Sequence, residues 1–420
     1  MTGVRSSLRV PGFGALLASY VINRAGDVVG ALALAVVVLA ATGSALATAV
    51  LFLATQFVPG LIGPALVAHV DRTAPGRILP ALYAVECLLF LALAALVHHT
   101  GIAPLIVLAL IDATLAFVAR TITRSAAASM LIPHDLMPEG KAAFNVALAA
   151  SMIAGPAIAG VVVSLSGAST ALLIDAGSFL FAAALIARVS PLRAAPDQPG
   201  AAVRGSTRER LREGLRYIAG QPQLRALIIG EGAAFVFFYL VVPVTVVYAS
   251  HSLKAGAGGY AAILTSWGVG IAIGSAVQLR LARRVGTTAI LISTGAVAAG
   301  YLGTAVAPSL AVACAASVIG GIGNGTQWAS VETVLHLLVD DAFRARATAV
   351  LEALAAMAPG VGIVLGGALT ALFSPRAAYL VAGAGLVALI LAAKLSGLAF
   401  RVRLEPVEQP RAQPDRATAA

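Results

Sequence analysis

Charge is the first thing this 420-residue chain lacks. Asp, Glu, Lys and Arg make up 11% of it, against about 25% in a soluble globular protein. Cysteine is scarce too. Cys87 and Cys314 both fall inside apolar runs, so no structural disulfide is expected and the redox compartment stays unread. The spacings that announce chemistry are missing. There is no His-Glu-x-x-His, and Gly140-Lys141 lacks the upstream glycine and following Ser/Thr of a phosphate loop. The six histidines (His69, His98, His99, His134, His251 and His336) show no metal-ligand spacing. An enzyme, an ATP-driven pump, and a metal or cofactor are therefore not expected. The net charge of +10 and pI near 10.2 do not point to nucleic acid either. The basic residues sit between apolar runs rather than in one patch interleaved with aromatics.

Apolar residues are what the chain has. They form 60% of it, against about 45–50% in soluble domains. Glycine is abundant at 42 residues, as in membrane helices, where small residues let backbones approach. The solvent for most of this chain must be lipid. A membrane helix needs about 20 mainly apolar residues. That ruler gives spans near 12–40, 45–69, 77–98, 103–124, 142–166, 169–189, 224–249, 257–282, 286–307, 309–334, 345–372 and 376–397. The expectation is an all-α integral membrane protein of twelve transmembrane helices in two sets of six. The first run is too long for a signal-peptide core and has no cleavage site behind it, so it is expected to be a span.

Sidedness follows from Lys and Arg. One set of loops carries Arg5, Arg9, Arg72, Arg77, Lys141, the run from Arg188 to Arg225, Arg280, Arg283, Arg284, Arg344, Arg346, Lys394 and the tail. The opposite loops carry only Lys254 and Arg376 of the 28 Lys and Arg. The positive-inside rule then places both termini and the central loop in the cytoplasm, and the chain in the cytoplasmic (inner) cell membrane.

Residues 1–189 and 224–397 form the two six-helix halves, 190–223 the linker between them, and 398–420 a disordered tail. Residues 190–205 are rich in Pro, Ala and Gly and read as a disordered connection. From Ser206 the pattern changes: Ser206 and Glu209 resemble a capping box. Leu211, Leu215 and Ile218 then recur at helical spacing among Arg208, Arg210, Arg212 and Arg216. Two readings stand side by side: a helix lying on the anionic inner leaflet, or a solvated helix tying the halves together.

Six spans, a cytoplasmic linker and six more spans resemble the layout of the major facilitator superfamily. Asp71-Arg72-Thr73-Ala74-Pro75-Gly76-Arg77 resembles that family's signature loop, with Val67 in place of the leading Gly and the later Gly and Arg displaced. In span five, the stretch from Ser151 through Gly155-Pro156 to Gly160 resembles the motif of proton-coupled antiporters, with Ser151 and Ala159 as small-for-small departures. Gly26-Asp27, Leu131-Ile132-Pro133, Leu211 to Leu224, and Asp340-Asp341 with Arg344 and Arg346 occur in an order similar to the branch of the enterobactin exporter and macrolide-efflux-like permeases.

The resemblance implies two halves around a central cavity lined by spans one, four, seven and ten, each half built of inverted three-helix repeats. It implies a monomeric secondary transporter that exports a small lipophilic compound (a drug, a macrolide or a siderophore) in exchange for protons. An uptake permease or facilitator, and a non-transporting membrane sensor on the same fold, are the alternatives. It also places Asp71, Arg72 and Arg77 beside Arg344 and Arg346 as an inner gate.

Charges inside spans need a reason, because each costs at least ~2.5–3.5 kcal/mol to insert. Seven acids lie there: Asp27, Glu86, Asp112, Asp175, Glu231, Glu332 and Glu352, with Arg24 and Arg120. Asp27 leads as the proton-coupling residue, with Arg24 three residues back and Asn23 four back on the same face. Asp112 and Glu231 are further candidates. Arg120 serves either transport or a lock to the span-two loop. Glu332 is near enough to a span end to reach water, and Glu86 and Asp175 read as packing groups on peripheral spans. Asn23, Gln56, Asn145, Trp267, Asn324, Gln327 and Trp328 are candidates for the cavity lining or for hydrogen bonds between helices.

Overall fold

A computed structural model describes residues 6–70, 74–99, 101–188, 207–281, 287–339 and 341–395. The described residues are almost entirely helical, as buried backbone in lipid must be when no water can satisfy it. Ten of the helical segments are long and apolar enough to cross a membrane. We label α1 (Phe13–Thr42), α2 (Ala45–Val70), α3 (Pro75–Leu96) and α4 (Ile102–Leu131). The long segment Met137–Ala187 is broken at Gly167, whose φ of 83° only glycine adopts without strain. It therefore comprises α5 (137–166) and α6 (168–187).

After the linker helix α7 (Thr207–Gly220) come α8 (Pro222–Ser252), α9 (Gly256–Leu281), α10 (Thr287–Val306), α11 (Leu310–Leu338), α12 (Asp341–Leu372) and α13 (Pro375–Leu395).

Local chemistry explains the short turns. Gly43 ends α1 in the left-handed conformation and returns its N–H to the Leu39 carbonyl at 2.8 Å. Ser44 follows at once as the cap of α2 and accepts from the Ala47 N–H. Proline opens α3 and α8 within the first turn, where its missing N–H costs nothing.

In the first half α1 lies between α5 and α6. Gly155 packs on Val28, while Gly26 packs on Asp175 and Ser178. In the second half α9 lies on α11, α10 on α13, and α8 on α12. The halves meet along two seams. Gly160 and Met152 of α5 touch Ala261 and Gly268 of α9; Ala49 and Phe57 of α2 touch Gly367 and Gly360 of α12.

The linker helix is neither stretched between the halves nor standing free. Ile218 is buried in a cluster with Leu224, Leu227, Val331, Val350 and Leu351. Tyr217 stacks on Phe343 with ring centroids 4.2 Å apart. The helix is thus docked on one end of the C-terminal half, with Arg212, Leu215 and Arg216 exposed on its outer face. The proposed cap Ser206 lies outside the described residues.

Candidate functional site

A cavity of about 620 Å³ lies between the halves, within the range usual for small-molecule sites. One wall carries charge. Asp27 sits midway along α1, and its Oδ2 accepts from Arg24 Nη1 at 3.2 Å and from Arg120 Nη1 of α4 at 3.4 Å. The first contact is local, three residues back on the same helix; the second crosses 93 residues of sequence. The carboxylate is 12% exposed, and the two guanidinium side chains are 31% and 29% exposed. Two cations share one anion, and all three line the cavity.

Asp112 also lines this wall, and its Oδ1 has no hydrogen-bond partner among the described residues. Behind it are two fully buried acids. Glu86 of α3 has neither carboxyl oxygen paired among the described residues, and Asp175 of α6 is paired through Oδ1 with the Ser178 hydroxyl at 3.0 Å. Glu86 lies within electrostatic reach of Asp112, Asp27, Arg120 and Asp175. Peripheral placement in sequence therefore did not keep Glu86 and Asp175 away from Asp27.

α2 reaches the cavity through a π-helical turn, Leu53–Phe57, which carries Thr55 and Gln56 into the wall. Such turns widen the helix locally and are frequent at functional sites. Pro156 lines the cavity from α5, while Gly155 faces α1 and Gly160 faces α9.

Several sequence expectations are corrected by these positions. Arg120 pairs with Asp27; the loop after α2, the partner expected for a lock, lies outside the described residues at 71–73. Asn23 is buried and does not line the cavity, and Asn145 is exposed and does not line it either. Gln327 is buried in the C-terminal half, where its amide donates to Glu231 Oε2 at 3.2 Å; neither residue lines the cavity. Arg346 bonds Glu213 of the linker helix at 3.3 Å. Glu332 is exposed, in keeping with its place near a span end; Arg77 and Glu352 are exposed as well. Asp71 and Arg72 lie outside the described residues, as do the side chains of Arg344 and Trp328. Spans one, four, seven and ten do not suffice as the lining, since α2, α5, α9, α12 and α13 contribute as well.

Sequence reasoning missed the opposite wall. Phe238, Tyr239, Tyr260, Tyr301 and Tyr379 join Trp267 there, on α8, α9, α10 and α13. No spacing links residues on four separate helices, and each aromatic alone reads as packing.

The Major Facilitator Superfamily model matches residues 227–419. No curated protein matches the chain. Among solved structures, the chain is similar over 92% of its length to 96% of a bacterial homolog of the human lysosomal transporter Spinster, inward-facing and occupied, with TM-score 0.69 and 14% identity. A POT family transporter in complex with a thioalcohol-conjugated peptide has TM-score 0.69 at 13% identity, covering 92% of this chain and 96% of that one. A bacterial homologue of the iron transporter ferroportin, inward-facing, has TM-score 0.68 at 13% identity, covering 90% and 98%. The chain is a multi-pass membrane protein with the fold of these transporters. The superfamily's pattern is carried in its C-terminal half.

Proposed function

We propose that the whole chain is a secondary transporter of the major facilitator type. It works as a monomer, without cofactor, and exports a small lipophilic compound in exchange for protons by alternating access. The observation that carries this reading is the Asp27 carboxylate shared by Arg24 and Arg120 on the cavity wall. An ion pair set into a largely apolar wall contributes little to stability compared with an apolar replacement, so its presence there calls for a working role.

The reading counts twelve spans. The break at Gly167 divides one of the ten long segments, and Leu310–Leu338, at 29 residues, is also long enough to cross. With the arginine-rich loops in the cytoplasm, the contacts of Ala49 with Gly367 and of Gly160 with Ala261 lie on the outer side and close it. In this reading the Asp27 carboxylate exchanges partners during the cycle. When the cavity changes its opening and the pairs separate, a proton from outside takes their place. Pairing again expels that proton inward.

One observation favours a second reading, an uptake permease. Counted on the hydrogen-bonded trio alone, two guanidiniums and one carboxylate leave one positive charge. An acidic substrate that took the place of Asp27 would leave Asp27 to bind a proton, and the two would travel together.

Inverted vesicles test both. Asp27→Asn should abolish accumulation of lipophilic drugs driven by an acid interior, while exchange without a gradient persists. Full gradient-driven transport by Asp27→Asn would move the coupling role to Asp112 or Glu231. Accumulation driven by an alkaline interior alone would favour the uptake reading. Cysteines placed at 206–216 should resist impermeant maleimide in intact cells, while those at Thr42–Ala45, His98–Thr100 and Lys254 should react.

A further inference from the structure

The coupling scheme uses only the N-terminal wall of the cavity. The facing wall is apolar and organised around one indole. Trp267 stacks on Tyr301 with ring centroids 5.4 Å apart and planes 11° from parallel. Its six-membered ring lies directly on Gly320 of α11, where any Cβ would collide with it. Phe238 flanks the indole at 6.1 Å. Tyr379 lies 6.0 Å from Tyr301 and spends its hydroxyl on Thr245 at 2.8 Å.

Tyr301 has no such partner. It is 2% exposed, it lines the cavity, and its hydroxyl has no hydrogen-bond partner among the described residues. Buried hydroxyls are nearly always paired, because an unmade bond forfeits what water would have supplied. A braced aromatic platform beside a polar group left open is the pattern of a site that takes a planar guest with one polar handle.

We propose that this wall binds a planar aromatic part of the substrate, stacked on the Trp267–Tyr301 platform and hydrogen-bonded to the Tyr301 hydroxyl. The transported class is then aromatic compounds bearing a hydroxyl or carbonyl, rather than saturated macrocycles. The inference rests on reading the cavity as the transport site, but not on Asp27 as the coupling group.

A matched pair of neutral alcohols tests it. The full chain in lipid nanodiscs is dialysed to equilibrium against 4-phenylphenol or against 4-cyclohexylcyclohexanol, with empty nanodiscs subtracted. The two share one heavy-atom skeleton and differ in planarity and aromaticity. The expected result is about tenfold tighter binding of 4-phenylphenol. Tyr301→Phe keeps the ring and should weaken that binding about fivefold while leaving the saturated alcohol unchanged. Trp267→Leu should weaken it about tenfold.

Asp27→Asn should keep the aromatic preference even where it abolishes gradient-driven transport, so the two readings fail separately. Equal binding of both alcohols, no protein-dependent binding of 4-phenylphenol, or native affinity in both variants would overturn the proposal.

Discussion

In the N-terminal half, the glycines of α1 make room for polar side chains. Gly26 faces Asp175 and Ser178, and Gly30 faces Asp175 and Phe90. Along the α9–α11 contact of the C-terminal half, four glycines make room for backbone. Gly270 and Gly274 of α9 lie on the main chain of α11 at Val318 and Ile322, and Gly321 and Gly325 return the contact at Trp267 and Ile271. The same small residue thus serves two ends. Where it admits side chains, a half can store carboxyls at some cost in stability. Where it admits backbone, van der Waals contact locks two helices together, which in lipid is a main source of association. The charged wall of the cavity belongs to the first half and the aromatic wall to the second.

The largest test of that contrast is Gly321→Val in the C-terminal half. Its side chain would meet the Trp267 carbonyl, which cannot rotate away. The expected cost is about 3 kcal/mol or more, read as loss of monodisperse protein in detergent. Gly26→Ala in the N-terminal half meets the ends of side chains instead. It should cost about 1–2 kcal/mol and depress gradient-driven transport more than melting temperature. Equal destabilisation by the two would break the comparison.

Arg120→Ala leaves Asp27 with Arg24 alone. Breaking a fully buried pair costs 3–5 kcal/mol, but these side chains keep some access to water. A loss of about 1–2 kcal/mol is therefore expected by thermal unfolding, together with impaired gradient-driven transport. Glu231→Gln replaces the buried acid of the other half with an amide that can still bond Gln327. It should alter stability by less than about 1 kcal/mol and transport far less than Asp27→Asn does. An effect as large as that of Asp27→Asn would put coupling chemistry in both halves. Smallest of all, Glu213→Gln removes an exposed ion pair with Arg346. It should change stability by about 0–1 kcal/mol, vanishing in high salt. A large transport defect there would make the linker helix a working part rather than a brace.

The linker shows how far a local pattern reaches. Leu211, Leu215 and Ile218 at helical spacing announced a helix, and Thr207–Gly220 is one. What covers Ile218, while Leu215 stays exposed, was not legible. Lipid and the end of a helical bundle are equally apolar, and Tyr217 finds Phe343 more than a hundred residues away. Asp27 divides in the same way. Its pairing with Arg24 follows from a spacing of three on one helix, whereas Arg120 meets it only because α4 packs across α1.

The sequence by itself determined that this chain lives in lipid, that it is all helix, and where most helices begin and end. Those properties depend on composition along one segment and on caps within a turn of its ends. Tertiary structure alone decided which polar residues face a common space. It drew Glu86, Asp112 and Asp175 toward Asp27, left Asn145 off the cavity wall, and assembled an aromatic wall from four helices. The physical reason is that a helix's rotation about its own axis is set by the small residues it packs on. In lipid, hydrophobicity no longer says which face is inside.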